Sequence, residues 1–219
     1  MVALVVLLVG CSGGGGATAH DQDNANAAVL KTSDLDGFDT ESSSSSSDSA
    51  SSSDDPADQC FKQATGLDSK AMDKDRTAKA EATFKKGTGL DTVSVKAQVE
   101  FHQSGDGMSQ QLAAFSKPEV QSCLKDALSA QAASNGSGAS FGDLNVTFKP
   151  LTGIGDEGGE FDVTATVSAQ SVSVPVGFEI DFVRKGRAGL ELFISAINGT
   201  PDHALAVNAL NTMLSRVKQ

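Results

Sequence analysis

A chain of 219 residues with 39% hydrophobic side chains can bury one sizeable core, and its net charge of −11 excludes the basic footprint that nucleic-acid binding requires. The acidity is uneven: residues 21–58 hold ten acids against Lys31 alone, whereas residues 59–219 are near balance at −2. All eleven aromatic side chains are Phe, which argues against a sugar-binding face or a Trp- and Tyr-rich contact and assigns the rings to the core or a greasy pocket.

Met1–Gly10 carries no charge and is apolar up to Gly10. Crossing a bilayer takes roughly 20 apolar residues, so this run is too short to span one. It reads instead as the apolar part of a secretory signal over 1–10. Leu8-Val9-Gly10-Cys11 then resembles the lipobox of bacterial lipoproteins. That resemblance implies a diacylglyceryl group on the Cys11 sulfur and cleavage just before it. Lys or Arg normally opens a signal and none precedes Cys11, so the true start is expected upstream of Met1. The alternative is a buried strand with Cys11 as an ordinary thiol. Each buried methylene of an acyl chain contributes ~0.8 kcal/mol, so two or three chains make a durable anchor. The expected address is the extracytoplasmic face of the cell membrane, with the membrane itself the first partner.

Beyond the anchor, the polar run 11–26 with its Gly13–Gly16 spacer reads as a flexible tether. Residues 27–41, with Val29, Leu30, Leu35 and Phe38, form an apolar island expected to dock loosely on the domain. Residues 42–55 are Ser and Asp almost throughout and are expected to stay disordered, because nothing there offsets the entropy of ordering. A single domain then occupies 56–219.

Within it, short helices are expected at Asp58–Thr65 and Met108–Ser116. Ala80, Ala82 and Phe84 suggest a strand, and Val93, Val95, Ala97, Val99 and Phe101 alternate as a clearer one. Pro118 opens a helix whose stripe runs through Val120, Cys123, Leu124 and Leu128. Leu144, Val146 and Phe148 mark a short strand. Two long alternating runs, Phe161–Ala169 and Val172–Phe182, flank a tight turn at Gln170-Ser171. Pro175 lacks an amide donor and calls for an edge or a bulge there. A basic turn, Arg184-Lys185-Gly186-Arg187, leads into Leu190–Ile197, a strand with apolar residues on both faces. Thr200 as N-cap and Pro201 in the first turn start the last helix, lined by Ala206, Leu210, Met213 and Val217. Consecutive strands joined by tight turns give an α+β fold: an antiparallel sheet with helices packed on one face and a terminal amphipathic helix.

Three cysteines suit an exported protein. With Cys11 taken by lipid, Cys60 and Cys123 remain as a disulfide pair, the rival being two buried free thiols in the cytosol. A strand like Val93–Phe101, a helix carrying a Cys, the hairpin with Arg184–Arg187 and the terminal helix resemble a set of actinobacterial envelope proteins. These include small lipoproteins and the extracellular sensor domains of mycobacterial receptor kinases, and they are similar to the PsbP/Mog1-like α+β sandwich. The opening Val29-Leu30-Lys31-Thr32-Ser33-Asp34-Leu35 adds to the likeness, which covers most of 27–219. The second cysteine pair of some sensor domains is missing.

Catalytic chemistry is hard to find. His20 lies in the tether, His102 on the polar face of its strand as a surface residue, and His203 in the first turn of the last helix with no special role. No His-x-x-x-His or Cys-x-x-Cys pair exists, and Asn135-Gly136-Ser137-Gly138 lacks the context of a nucleophile elbow. Asp156, Glu157, Glu160 and Asp162 read as an exposed acidic loop leading into a strand, without the spacing of a calcium loop. No metal, no cofactor and no enzymatic activity are expected. Arg184, Lys185 and Arg187 are the candidate partner contact. The leading expectation is a non-catalytic lipoprotein that binds a ligand or partner of the envelope, a lipid between sheet and helices included. A structural or assembly factor without a small ligand is the alternative, and a hydrolase the third.

Overall fold

The computed structural model describes residues 18–46, 56–67, 74–134, 140–169 and 172–218. In chain order they form α1 (Thr18–Ala28), β1 (Asp39–Ser46), α2 (Pro56–Thr65), β2 (Arg76–Lys86), β3 (Val93–His102), α3 (Asp106–Phe115) and α4 (Pro118–Ser134). The second half supplies β4 (Ser140–Pro150), β5 (Glu157–Ala169), β6 (Val172–Lys185), β7 (Ala188–Ile197) and α5 (His203–Arg216). Seven strands make one antiparallel sheet in the order β1-β2-β3-β7-β6-β5-β4. The α+β class, the antiparallel sheet, the helices on it and the terminal helix are as the periodicity predicts.

Register decides which face each side chain takes, because neighbours along a strand point to opposite sides. Val95, Ala97 and Val99 of β3 pair with Ile194, Leu192 and Leu190 of β7, and Ala80 and Ala82 of β2 continue the same face. These residues are buried beneath α1 and α5, together with Ala25, Leu30, Ala206, Leu210 and Met213. The small alanines of β2 let α1 lie close; Gln22 Nε2 reaches the Lys79 carbonyl at 2.9 Å. On the other half-sheet, Val163 pairs with Val146 and Phe178, and Phe161 with Phe148 and Ile180. Ile180 in turn stands opposite Phe193, not Leu192, so this apolar set occupies the reverse face. There it packs with Phe61 of α2, Phe115 of α3 and Val120 of α4. Each half of the sheet therefore carries its helices on one face, but the two halves use opposite faces. Alternation alone cannot distinguish this from a single helical layer.

The N-terminal segment is more ordered than its composition implies. The tether reading of 11–26 fails over 18–26, where α1 forms and buries Asp21 and Ala25. Asp21 holds it in place, accepting from Arg187 Nη2 at 2.8 Å and from Thr77 Oγ1 at 2.6 Å. The island 27–41 is part of the core: Ala28, Leu30, Leu35 and Phe38 are buried. The disordered-loop reading of 42–55 fails over 42–46, where Ser42–Ser46 pair with Thr83–Lys79 as the end of β1. An edge strand needs only backbone groups to pair, so serines suffice when a neighbour already carries the apolar face. Residues 18–46 thus share one sheet and one core with the described residues beyond Pro56. The signal at 1–10, Cys11, residues 47–55 and the Gln170-Ser171 turn lie outside the described residues.

Three further expectations meet the structure differently or in more detail. Asp202, not Thr200, caps α5, accepting from the Ala204 amide at 2.9 Å. The ladder with β7 begins at Val176, just after Pro175, whose carbonyl still accepts from the Asn198 amide at 2.8 Å while its missing N–H is not called upon. His102 is buried rather than exposed. It ends β3 where the ladder with β2 shifts register, between Arg76 and Ala78. Nearby α3 crosses the sheet, and a Cβ on Gly189, the cross-strand partner of Glu100, would lie 2.3 Å from Met108 Sδ. Among the described residues no helix is long and apolar enough to cross a membrane.

Candidate functional site

The half-sheet β4–β6 has a second face, away from α2–α4, and its strand positions there are Glu160 and Asp162 of β5 and Glu179 and Asp181 of β6. Glu160 stands opposite Asp181 and Asp162 opposite Glu179, so four carboxylates share one patch. Strand alternation places them there: Asp162, Glu179 and Asp181 are polar members of Phe161–Ala169 and Val172–Phe182, and Glu160 comes just before the first run. Lys149 of β4, opposite Glu160, binds Asp162 and lies 3.6 Å from Glu160 Oε1.

The turn into α5 brings a histidine to the same patch. Pro201 passes directly over Gly177, where a Cβ would lie 2.7 Å from the proline Cδ, so only glycine permits this approach. Asp202 then caps the helix and His203 begins it. His203 Nδ1 sits 2.7 Å from Glu179 Oε1 and 3.5 Å from Glu160 Oε2. One ligand atom each from Glu160, Glu179 and His203 lies within 4.8 Å of the others.

Burial and crowding make these groups unusual. Glu160 is 4% exposed, Glu179 2% and Asp181 0%. Burial, then the charges of Glu179 and Glu160, pushes the Asp181 carboxyl up to about 8. Glu160 is raised as well, first by burial and then by Asp162. Hydrogen bonding to Glu179 raises His203 above the ordinary imidazole range. Neither carboxylate oxygen of Asp181 has a hydrogen-bond partner, an arrangement that costs about 1–3 kcal/mol per buried group. The patch can accept a cation, and His203 with Glu179 can exchange a proton.

Sequence reasoning placed Glu160 and Asp162 in an exposed loop and gave His203 no role. Glu160 is instead a buried member of β5, and the loop ends at Asp156. The signal available was four acids on the same face of two strands paired by a tight turn. The missing information was the fold-back of α5, which no local pattern encodes.

The basic hairpin tip is engaged within the fold. Arg184 Nη2 donates to Glu157 Oε1 at 3.0 Å and its Nη1 to the Gly186 carbonyl at 3.0 Å. Lys185 Nζ donates to the Leu214 carbonyl at 2.9 Å, and Arg187 holds Asp21 and the His102 carbonyl. Arg187 thus ties α1 to the sheet, Lys185 ties α5 to it, and Arg184 braces the hairpin against Glu157. Cys123 is buried on α4 and disulfide-bonded; the side chain of Cys60, on α2, lies outside the described residues. Phe115 meets Phe61, Phe161 and Phe182 at centroid distances of 5.6, 5.4 and 4.6 Å, so these rings fill one another's space. A cavity of about 390 Å³ opens beside β1, but Ser43–Ser45 and Thr40 share its lining with Leu30 and Phe84. It is not the Phe-lined pocket that a lipid ligand would require.

No family model matches the chain, and no curated protein does. Among solved structures, the extracellular domain of PknH from Mycobacterium tuberculosis is similar at 12% identity with a TM-score of 0.46, over 90% of this chain and 95% of that one.

Proposed function

We propose that this chain is a lipid-anchored, non-catalytic binding domain on the extracytoplasmic face of a cell membrane. The observation that carries it is Leu8-Val9-Gly10-Cys11 placed seven residues ahead of α1, the first described helix. Seven residues reach ~25 Å at full extension, so an acylated Cys11 holds the domain close to the bilayer. The disulfide of Cys123 fits an oxidising compartment. With Cys11 acylated, Cys60 on the neighbouring helix α2 is its partner. The carboxylate patch with His203 is where such a domain would take its ligand.

Intact-mass analysis of the membrane fraction from the native host tests this. The expected product begins at a diacylated Cys11 and has two fewer hydrogens for the Cys60–Cys123 bond. Cys11→Ser should leave an uncleaved precursor. An unmodified, unprocessed chain with alkylatable thiols overturns the reading.

A second reading, a hydrolase, is favoured by the convergence of Glu160, Glu179 and His203. It predicts turnover of small activated esters that disappears in His203→Asn. An inert wild-type chain leaves the binding role.

A further inference from the structure

We propose that Glu160, Glu179 and His203 bind one divalent transition-metal cation, with Asp181 beside them as a further carboxylate. The site is built by β5, β6 and the first turn of α5 alone, so it stands whether or not the chain is anchored.

Two independent observations lead there. The first is geometric: two buried carboxylates and an imidazole converge with ligand atoms within 4.8 Å, a separation one ion can bridge. Paired strands fix Glu160 and Glu179, and the Pro201–Gly177 contact and the Asp202 cap fix His203. The second is Asp181. It has no exposed surface and no partner for either oxygen, and it faces Glu160 across the ladder. A hydrogen-bonded role in the apo fold would have left it a donor. A cation held by its neighbours supplies the missing positive charge.

The balance of charge agrees. Four carboxylates share this face, and only Lys149 and His203 among the described contacts oppose them. The Lys149 side chain is 59% exposed, so water screens it. The donor set also selects the ion. Calcium and magnesium prefer six or more oxygens or several retained waters, whereas an imidazole beside carboxylates suits zinc or manganese.

The test uses the purified full chain, stripped with a chelator and dialysed against Zn²⁺, with bound metal read by elemental mass spectrometry and affinity by calorimetry. One equivalent is expected. His203→Asn and the double variant Glu160→Gln, Glu179→Gln should each weaken it at least about tenfold. Glu119→Gln with Asp126→Asn, exposed on α4 on the reverse side of the sheet, should leave it unchanged. In wild type, added Zn²⁺ should move the imidazole resonances of His203 and leave those of His20 and His102 in place, a readout that needs no variant to fold. A folded wild-type chain that takes up no Zn²⁺ overturns the proposal. So does uptake that the His203 and Glu160/Glu179 variants leave intact, or a shift confined to His20.

Discussion

The two polar faces of the sheet carry charge in opposite ways. Opposite α1 and α5, the face of β2, β3 and β7 presents a ladder in which acids and bases alternate. Lys79 meets Glu81 at 3.3 Å, Lys96 meets Glu81 at 3.4 Å and Arg76 meets Glu100 at 2.6 Å. Opposite α2–α4, the face of β5 and β6 gathers four acids and leaves Asp181 without a partner. Both faces belong to one sheet and are built by the same alternation. What separates them is compensation: the first pairs most of its acids with bases of the same sheet, and the second sets acid against acid. Cross-strand pairs of opposite charge stabilise a sheet, whereas like charges directly opposite destabilise it, so the second arrangement has a cost that the first avoids.

Four measurements break or sharpen this contrast. The largest effect should come from the shared core: Leu192→Ala, fully buried beneath the balanced face, should cost about 3 kcal/mol in urea unfolding. Leu128→Ala, half-buried on α4, should cost less than half as much. Equal losses would show that the two halves are packed alike.

Next comes the Arg216–Asp34 pair, which ties α5 to the N-terminal segment at 2.6 and 2.8 Å. The hydrogen bond from Arg216 holds the Asp34 carboxyl below its ordinary value of 3.8. The folded carboxylate therefore binds a proton less readily than the unfolded one. Its contribution is complete above about pH 4 and fades as pH falls below it. Asp34→Asn should cost about 1.5 kcal/mol at pH 7 by thermal melting, and nearly nothing at pH 2.

A third measurement probes the limit of the balanced face. Burial, then the charge of Glu100, pushes Glu191 up to about 6. Here the folded state holds the proton more tightly, so stability from this group is present below pH 4.5 and lost as pH rises to about 6. Glu191→Gln should gain about 1 kcal/mol at pH 8 relative to wild type and match it at pH 4. No gain would mean that Lys79 and Lys96 already compensate Glu191. The smallest effect belongs to the exposed Lys85–Glu41 pair, 3.7 Å apart, where Glu41→Gln should change the melting free energy by no more than about 0.5 kcal/mol.

The fold was legible where side chains alternate or recur with one period over many residues. Val172–Phe182 and Pro118–Leu128 are examples, since a buried face imposes that pattern on any sequence that covers it. The edge strand Ser42–Ser46 was not legible, because its ordering comes from the backbone of β2 and leaves no mark on its own side chains. Nor was α1, whose packing depends on Arg187, far along the chain. The same distance hid the site. Glu160, Glu179 and His203 each looked like a surface residue in its own segment, and only register and the turn at Pro201 make them neighbours. His102 was missed for a third reason: the register shift at Arg76 and the crossing of α3 cover a strand end that alternation would leave bare.

Strand β7 follows the other six strands in the chain, yet it lies in the middle of the sheet between β3 and β6. Until Ala188–Ile197 is available, two hydrogen-bonding rims face each other with nothing between them, and the core beneath α1 and α5 lacks Leu190, Leu192 and Ile194. Completion therefore waits on contacts about a hundred residues apart, which makes assembly slow and all-or-none. Loss of that strand would therefore part the sheet down its middle rather than fray it from an edge.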